Sequence, residues 1–140
     1  MKLTTRGEYG VLAMYDLAMH YGAGPVALKV IAARQGISEH YLEQLMRPLR
    51  KAGLVRSVRG AQGGYELARA PAEISVGDIL REVEGPLSML DCLADSAACK
   101  RSAKCAARSV WELLDRKIND VLDSTTLYHL CTGTVGQGQE

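Results

Sequence analysis

Cys92, Cys99 and Cys105 stand close together in a chain that has only four cysteines, with the spacing Cys-x6-Cys-x5-Cys. A thiolate is both a soft metal ligand and a nucleophile, so three in one short segment suit a metal centre. Around them, residues 91–111 are mostly Ala, Ser, Lys, Arg and Asp, too polar to build a core and without the alternation of a strand. Three chemistries fit. One is an iron–sulfur cluster, one a structural zinc site completed by a fourth donor, and one a redox switch in which two of the thiols pair. The spacing does not choose among them. The cysteines lack a paired general base and the chain has no cofactor fingerprint, so it reads as a non-enzyme.

The rest of the chain must position that segment. It has 140 residues, the length of one domain, with ordinary hydrophobic and charged content. No apolar run reaches the roughly 18–20 residues that span a bilayer, which predicts no membrane partner. Residues 1–6 include Lys2 and Arg6 but no apolar signal region, which predicts a cytoplasmic protein with reduced thiols that favour metal over disulfide. Residues 1–69 hold ten Lys or Arg against five Asp or Glu, a net of +5, and residues 70–140 hold seven against eleven, a net of −4. The basic half is the candidate nucleic-acid surface.

Apolar periodicity predicts a first helix from Thr5, with Thr5 and Glu8 at capping-box spacing and a middle apolar almost all round. A short helix over 27–35, the turn Gln35-Gly36-Ile37-Ser38 and a third helix over 39–51 make a helix-turn-helix. Residues 54–59 alternate as a strand, then a Gly-rich turn returns through Tyr65-Glu66-Leu67, a hairpin wing. Ser75 and Asp78 begin another helix. From about residue 103 to 122, Trp111, Leu114, Ile118, Val121 and Leu122 form a narrow apolar seam suited to pairing with a partner. The expected fold is mainly α with a small β-hairpin wing, a winged helix-turn-helix plus a long dimerisation helix. Its parts are a DNA-binding domain over 1–85, a cysteine loop over 86–105, dimerisation and short terminal helices over 106–131 and a disordered tail over 132–140.

The third helix carries groove-reading chemistry. Ser38 and Tyr41 can donate to phosphate, Gln44 can pair with adenine, and Glu43 can accept from cytosine N4. His40 lies off the apolar stripe with them, and Arg47, Arg50 and Lys51 supply charge for phosphate. Arg59, beside Gly60 at the wing tip, can enter a narrow minor groove.

Several runs together carry a resemblance: Met1-Lys2-Leu3-Thr4 with Tyr9, Gln35-Gly36-Ile37-Ser38, Tyr41-Leu42-Glu43-Gln44-Leu45, Leu49-Arg50-Lys51-Ala52-Gly53-Leu54-Val55, Ser57-Val58-Arg59-Gly60 and Gly63-Gly64-Tyr65. From residue 1 to about 130 the chain resembles the IscR-like iron–sulfur regulators of the Rrf-type family of bacterial winged-helix sensors. The resemblance implies a homodimer joined by the long helix and bound to a double-stranded DNA operator, with Glu43, Gln44 and Arg59 among the DNA contacts. It implies an iron–sulfur cluster on Cys92, Cys99 and Cys105, 2Fe-2S, or 4Fe-4S in nitric-oxide-sensing relatives, and repression of cluster-assembly genes. Two departures stand out. The first cysteine gap is one residue longer than usual, and Arg108 occupies the place of the usual histidine ligand, where a guanidinium cannot ligate iron. Some nitric-oxide-sensing relatives complete the shell with a carboxylate from the first helix, and the resemblance places Glu8 at that position as the candidate fourth ligand, in competition with its capping role. His129, Cys131, Asp91 and Asp95 are the other available donors.

Overall fold

The computed structural model describes residues 3–86 and 107–137, so Cys92, Cys99 and Cys105 lie outside the described residues. The elements are α1 (Thr5–Met19), α2 (Leu28–Gln35), α3 (Glu39–Lys51), β1 (Val55–Val58), β2 (Gly64–Leu67), α4 (Val76–Glu84), α5 (Arg108–Ser124) and α6 (Leu127–Thr132). A mainly helical fold with one antiparallel hairpin is what the periodicities predict.

The core lies where α1, α2, α3, the hairpin root and α4 meet. Met14 and Leu17 of α1, Ile31 of α2 and the stripe Leu42, Leu45, Met46 and Leu49 of α3 are all buried in it. That stripe falls at i, i+3, i+4 and i+7, so one face of α3 is sealed and the opposite face is left to solvent. Val55 and Leu67 close the hairpin root opposite each other. Val26 forms a bridge to the outer edge of β2, exchanging two 2.8 Å bonds with Tyr65, which ties the wing to the entry of α2.

α1 and α4 approach closely through glycine. A Cβ at Gly7 would lie 2.7 Å from Leu3 Cδ1 and 3.0 Å from Leu80 Cδ2, and one at Gly10 would press on Val83. The start of α1 differs from the predicted capping box. Thr4, not Thr5, is the N-cap, its Oγ1 accepting from Arg6 N–H at 3.2 Å. With Thr4 as cap, the position whose side chain should reach back is Gly7, which has none. Glu84 of α4 takes over: it accepts from Thr4 N–H at 2.9 Å and from the Thr4 hydroxyl. Glu8 is thereby released from capping.

α4 begins with the predicted cap, Ser75 and Asp78 forming a reciprocal capping box. α5 carries no buried residue among its seventeen. It is held to the head by Arg81, which donates to Asp123 Oδ1 at 2.5 Å and Oδ2 at 3.1 Å and to Asn119 Oδ1 at 2.8 Å. Its far end returns to the core. Val76 N–H donates to Thr125 O at 2.8 Å, Leu127 N–H donates to Ile74 O at 3.0 Å, and the Leu127 side chain is fully buried.

Candidate nucleic-acid interface

The helix-turn-helix is set by a polar network inside the head. Asp16 is the buried carboxylate of α1, and a buried charge needs partners. Arg34 of α2 supplies two, Nε at 3.0 Å and Nη2 at 2.7 Å, and Gln35 Nε2 adds a third at 3.0 Å. His20 Nδ1, one turn on at the end of α1, donates to Asp16 O at 2.8 Å. The paired carboxylate raises the Arg34 guanidinium above its ordinary value through the hydrogen bond, against a smaller cost of desolvation. Gly36 follows with φ of +67°, the left-handed conformation that ends α2 and turns the chain into α3. This network was missed in the sequence. The available signal was Asp16 itself, a lone acid among apolar neighbours on a helix destined for the core.

α3 leaves Ser38, Glu39, His40, Glu43, Gln44, Arg47, Arg50 and Lys51 exposed. Ser38 is the N-cap, its Oγ accepting from Tyr41 N–H at 3.1 Å. Tyr41 is half-buried and packs edge-on against Tyr9 of α1, ring centres 6.1 Å apart, which fixes where its hydroxyl can point. Gln44 Nε2 lies 3.1 Å from His40 Nε2, and Glu43 pairs with Arg47 at 3.7 Å, both one turn apart. Pro48 sits inside the helix without ending it.

The wing stands beside this face. Arg50 Nη1 of α3 makes a long 3.5 Å bond to Ser57 Oγ of β1, and Arg56 pairs with its cross-strand neighbour Glu66 at 2.8 Å. Arg59 and Gly60 are exposed at the tip, Gly60 with φ of +113°, and Gly63 N–H donates to Gly60 O to close the turn. The structure thus gathers the predicted DNA-contact residues on two adjoining elements. It is a polar, cation-rich ridge rather than a cavity, the form that suits a groove and its phosphates.

Of the predicted metal ligands, only Glu8 is among the described residues. It is exposed on the rim of an apolar groove of about 490 Å³ between α1 and α4, with Leu3, Val11, Leu12, Leu80 and Leu122 around it. Its carboxylate has no hydrogen bond or ion pair among the described residues. Arg108 donates to Glu112 at 2.7 Å at the start of α5. His129 is committed to capping α6, its Nδ1 accepting from Thr126 N–H at 3.0 Å. Cys131 is half-buried against the core, and burial pushes its thiol up. Among the described residues no group of three His, Cys, Asp or Glu side chains is placed to hold a metal, and no helix is long and apolar enough to cross a membrane.

Residues 3–133 match the Rrf2 family, described as an iron-dependent transcriptional regulator. The transcriptional regulator CymR of Bacillus subtilis strain 168 is 47% identical over 137 residues, covering 98% of this chain and 94% of CymR. The structure of CymR, described as the global cysteine regulator of B. subtilis, superposes with a TM-score of 0.83 at 46% identity, covering 96% of this chain and 98% of that one. IscR of T. potens superposes with a TM-score of 0.78 at 51% identity, covering 100% of this chain and 92% of that one. The exposed face of α3, the hairpin wing and these likenesses along nearly the whole chain lead to one conclusion: the protein belongs to the Rrf2 family of DNA-binding transcription regulators and is not an enzyme.

Proposed function

We propose that the chain is a homodimeric repressor that senses iron–sulfur cluster status in the cytoplasm. In this reading it holds a cluster on Cys92, Cys99 and Cys105 and reads operator DNA through Ser38, His40, Tyr41, Glu43, Gln44, Arg50, Arg59 and Gly60. The observation that carries it is the place of the cysteine segment between two clamped elements. It follows α4, whose Glu84 caps α1 and whose Arg81 grips α5, and it runs into the start of α5. A change in that segment therefore bears on both the reading head and the long helix.

The donor set suits the group. Three thiolates are the usual holders of iron–sulfur iron, and the carboxylate of Glu8, which has no partner among the described residues, is available as a fourth ligand. When bound, the cluster, 2Fe-2S or 4Fe-4S, supplies a redox-sensitive centre whose stability follows its ligands. The homodimer is supported by α5. Val110 and Val121 are 51% and 54% exposed, Leu113 and Leu114 lie with them, and the Leu122 side chain runs into the apolar groove on α1 and α4. A surface of that kind favours a second copy over solvent.

Anaerobic reconstitution tests the reading. Coloured protein with iron and sulfide in equal amounts, bleached by Cys92→Ala, Cys99→Ala or Cys105→Ala, supports it; the iron count separates 2Fe-2S from 4Fe-4S. Stoichiometric zinc without sulfide would replace it with a structural-zinc regulator. An altered spectrum or lifetime in Glu8→Ala supports carboxylate ligation, and an unaltered one removes Glu8 from the shell. The similarity to CymR favours a second reading, regulation linked to cysteine rather than to a cluster. Under it, replacing all three segment cysteines leaves DNA binding and its regulation intact.

A further inference from the structure

Gly64 opens β2 between two neighbouring backbones. On one side it pairs with Val58 of β1. On the other, a Cβ built on it would lie 2.1 Å from Val26 O, 2.4 Å from Val26 C and 2.7 Å from Ala27 N. Those are main-chain atoms, so no side-chain rotation relieves the clash. The Gly64 φ of +157° is itself one that residues with a side chain rarely adopt. Glycine here therefore marks a close approach of backbones and not only a turn. The approach lets Val26 and Tyr65 exchange their two 2.8 Å bonds, and both side chains pack on the core. Val26 directly precedes Ala27, the N-cap of α2, so the bridge joins the wing to the frame of the helix-turn-helix. The hairpin needs that support, because two strands alone are marginal in water. Of its four residue pairs, only Val55 and Leu67 at the root bring two buried side chains together. On the α3 side it has the long bond from Arg50 to Ser57.

We infer that Gly64 is a positioning residue for DNA binding: by letting β2 lie against the Val26 backbone, it sets the spacing between Arg59 at the wing tip and the exposed face of α3, so that both engage one duplex. This rests on the reading in which α3 and Arg59 both contact DNA, and the experiment separates the two claims. Wild-type full-length protein selects duplexes from a randomised pool, and all four bases are then tested at each position of the selected site. Positions where Arg59→Ala erases preference are read by the wing, and those where Gln44→Ala erases it are read by α3. Gly64→Ala should lower affinity roughly tenfold, the scale of one lost specific contact. It should erase preference at the wing-read positions and keep it at the α3-read ones. Adding Arg59→Ala to Gly64→Ala should change little, because the contact is already lost. Val26→Pro removes the N–H given to Tyr65 O, leaves the carbonyl facing Gly64 in place, and should act in the same way. Val26→Ala keeps both backbone bonds and should retain the wing preference.

Intact preference at the wing-read positions in Gly64→Ala and Val26→Pro overturns the inference. So does an equal loss at wing-read and α3-read positions, which is the mark of general destabilisation, or an equal loss in Val26→Ala, which would assign the effect to side-chain packing. If Gly64→Ala does not fold, Val26→Pro decides alone. If Arg59→Ala leaves every position of the wild-type site unchanged, the wing reading falls and the inference with it.

Discussion

Replacing Arg34 with Ala attacks the contact that sets α2 against α1. Two bonds, at 3.0 and 2.7 Å, are lost from Asp16, whose side chain is 3% exposed. Removing one partner of a fully buried pair costs about 3–5 kcal/mol, because the remaining charge is stranded. Two features lower that figure here. Arg34 keeps 40% of its own side-chain exposure, so water already screens the pair, and Gln35 still donates to Asp16. The expected loss is about 2–3 kcal/mol, a melting point lower by about 6–10 °C in a domain of this size. Urea unfolding of wild type and variant, with equal m-values, measures it. Arg34→Lys restores the charge but not the two-pronged bond and should recover about half of the loss. A loss below about 0.5 kcal/mol would show that Asp16 is as well satisfied without Arg34, and the network would then not be what seats α2.

Three further outcomes are expected. Arg59→Ala should weaken binding to a selected duplex by roughly 1–3 kcal/mol, and unchanged affinity in a gel-shift titration would remove the wing tip from the minor groove. Glu84→Gln should flatten the acid side of the stability profile. Burial pushes the Glu84 carboxyl up, but the bonds from Thr4 and Gly7 and the charge of Arg6 outweigh it and hold it below the ordinary carboxylate range. That depression stabilises the fold above the unfolded-state value of about 4.3, and the contribution fades as pH falls toward the folded value. Identical acid unfolding of wild type and variant would exclude the cap. Gly77→Ala places a methyl group against Asp123 Oδ1 and Arg81 Nη1, so it should loosen α5 and cost about 1–2 kcal/mol. Hydrogen exchange of α5 amides reads the loosening directly, and unaltered exchange would show that the Arg81 clamp can shift at no cost.

Much of the reading head was legible because its signals are local. Ser38 before an i, i+3, i+4, i+7 stripe specifies both where α3 starts and which face is buried, and the same pattern leaves His40, Glu43 and Gln44 outside. The hairpin follows from alternation and a glycine turn, although β2 begins at Gly64, one residue earlier than its side chains suggest. The cap of α1 was misplaced because its acceptor comes from eighty residues away, and no local rule reaches from Thr4 to Glu84. The seam of α5 was readable as periodicity, but the clamp from Arg81 was not, since Arg81 on α4 gives no sign of where its guanidinium points.

The sequence by itself determined the three clustered thiols, the basic N-terminal half with its helix-turn-helix and the kind of molecule they belong to, because residue type and short-range spacing decide those. It also posed the question of the fourth ligand, through Arg108 in the usual histidine's place. Tertiary structure alone decided how Glu8 stands in that question. Folding brings Glu84 onto the N-terminus of α1, fills the capping role that competed for Glu8 and leaves that carboxylate on an apolar rim without a partner among the described residues. A capping bond can be supplied by any carboxylate the fold carries to the helix end, so only the packing of α4 on α1 could settle which one supplies it.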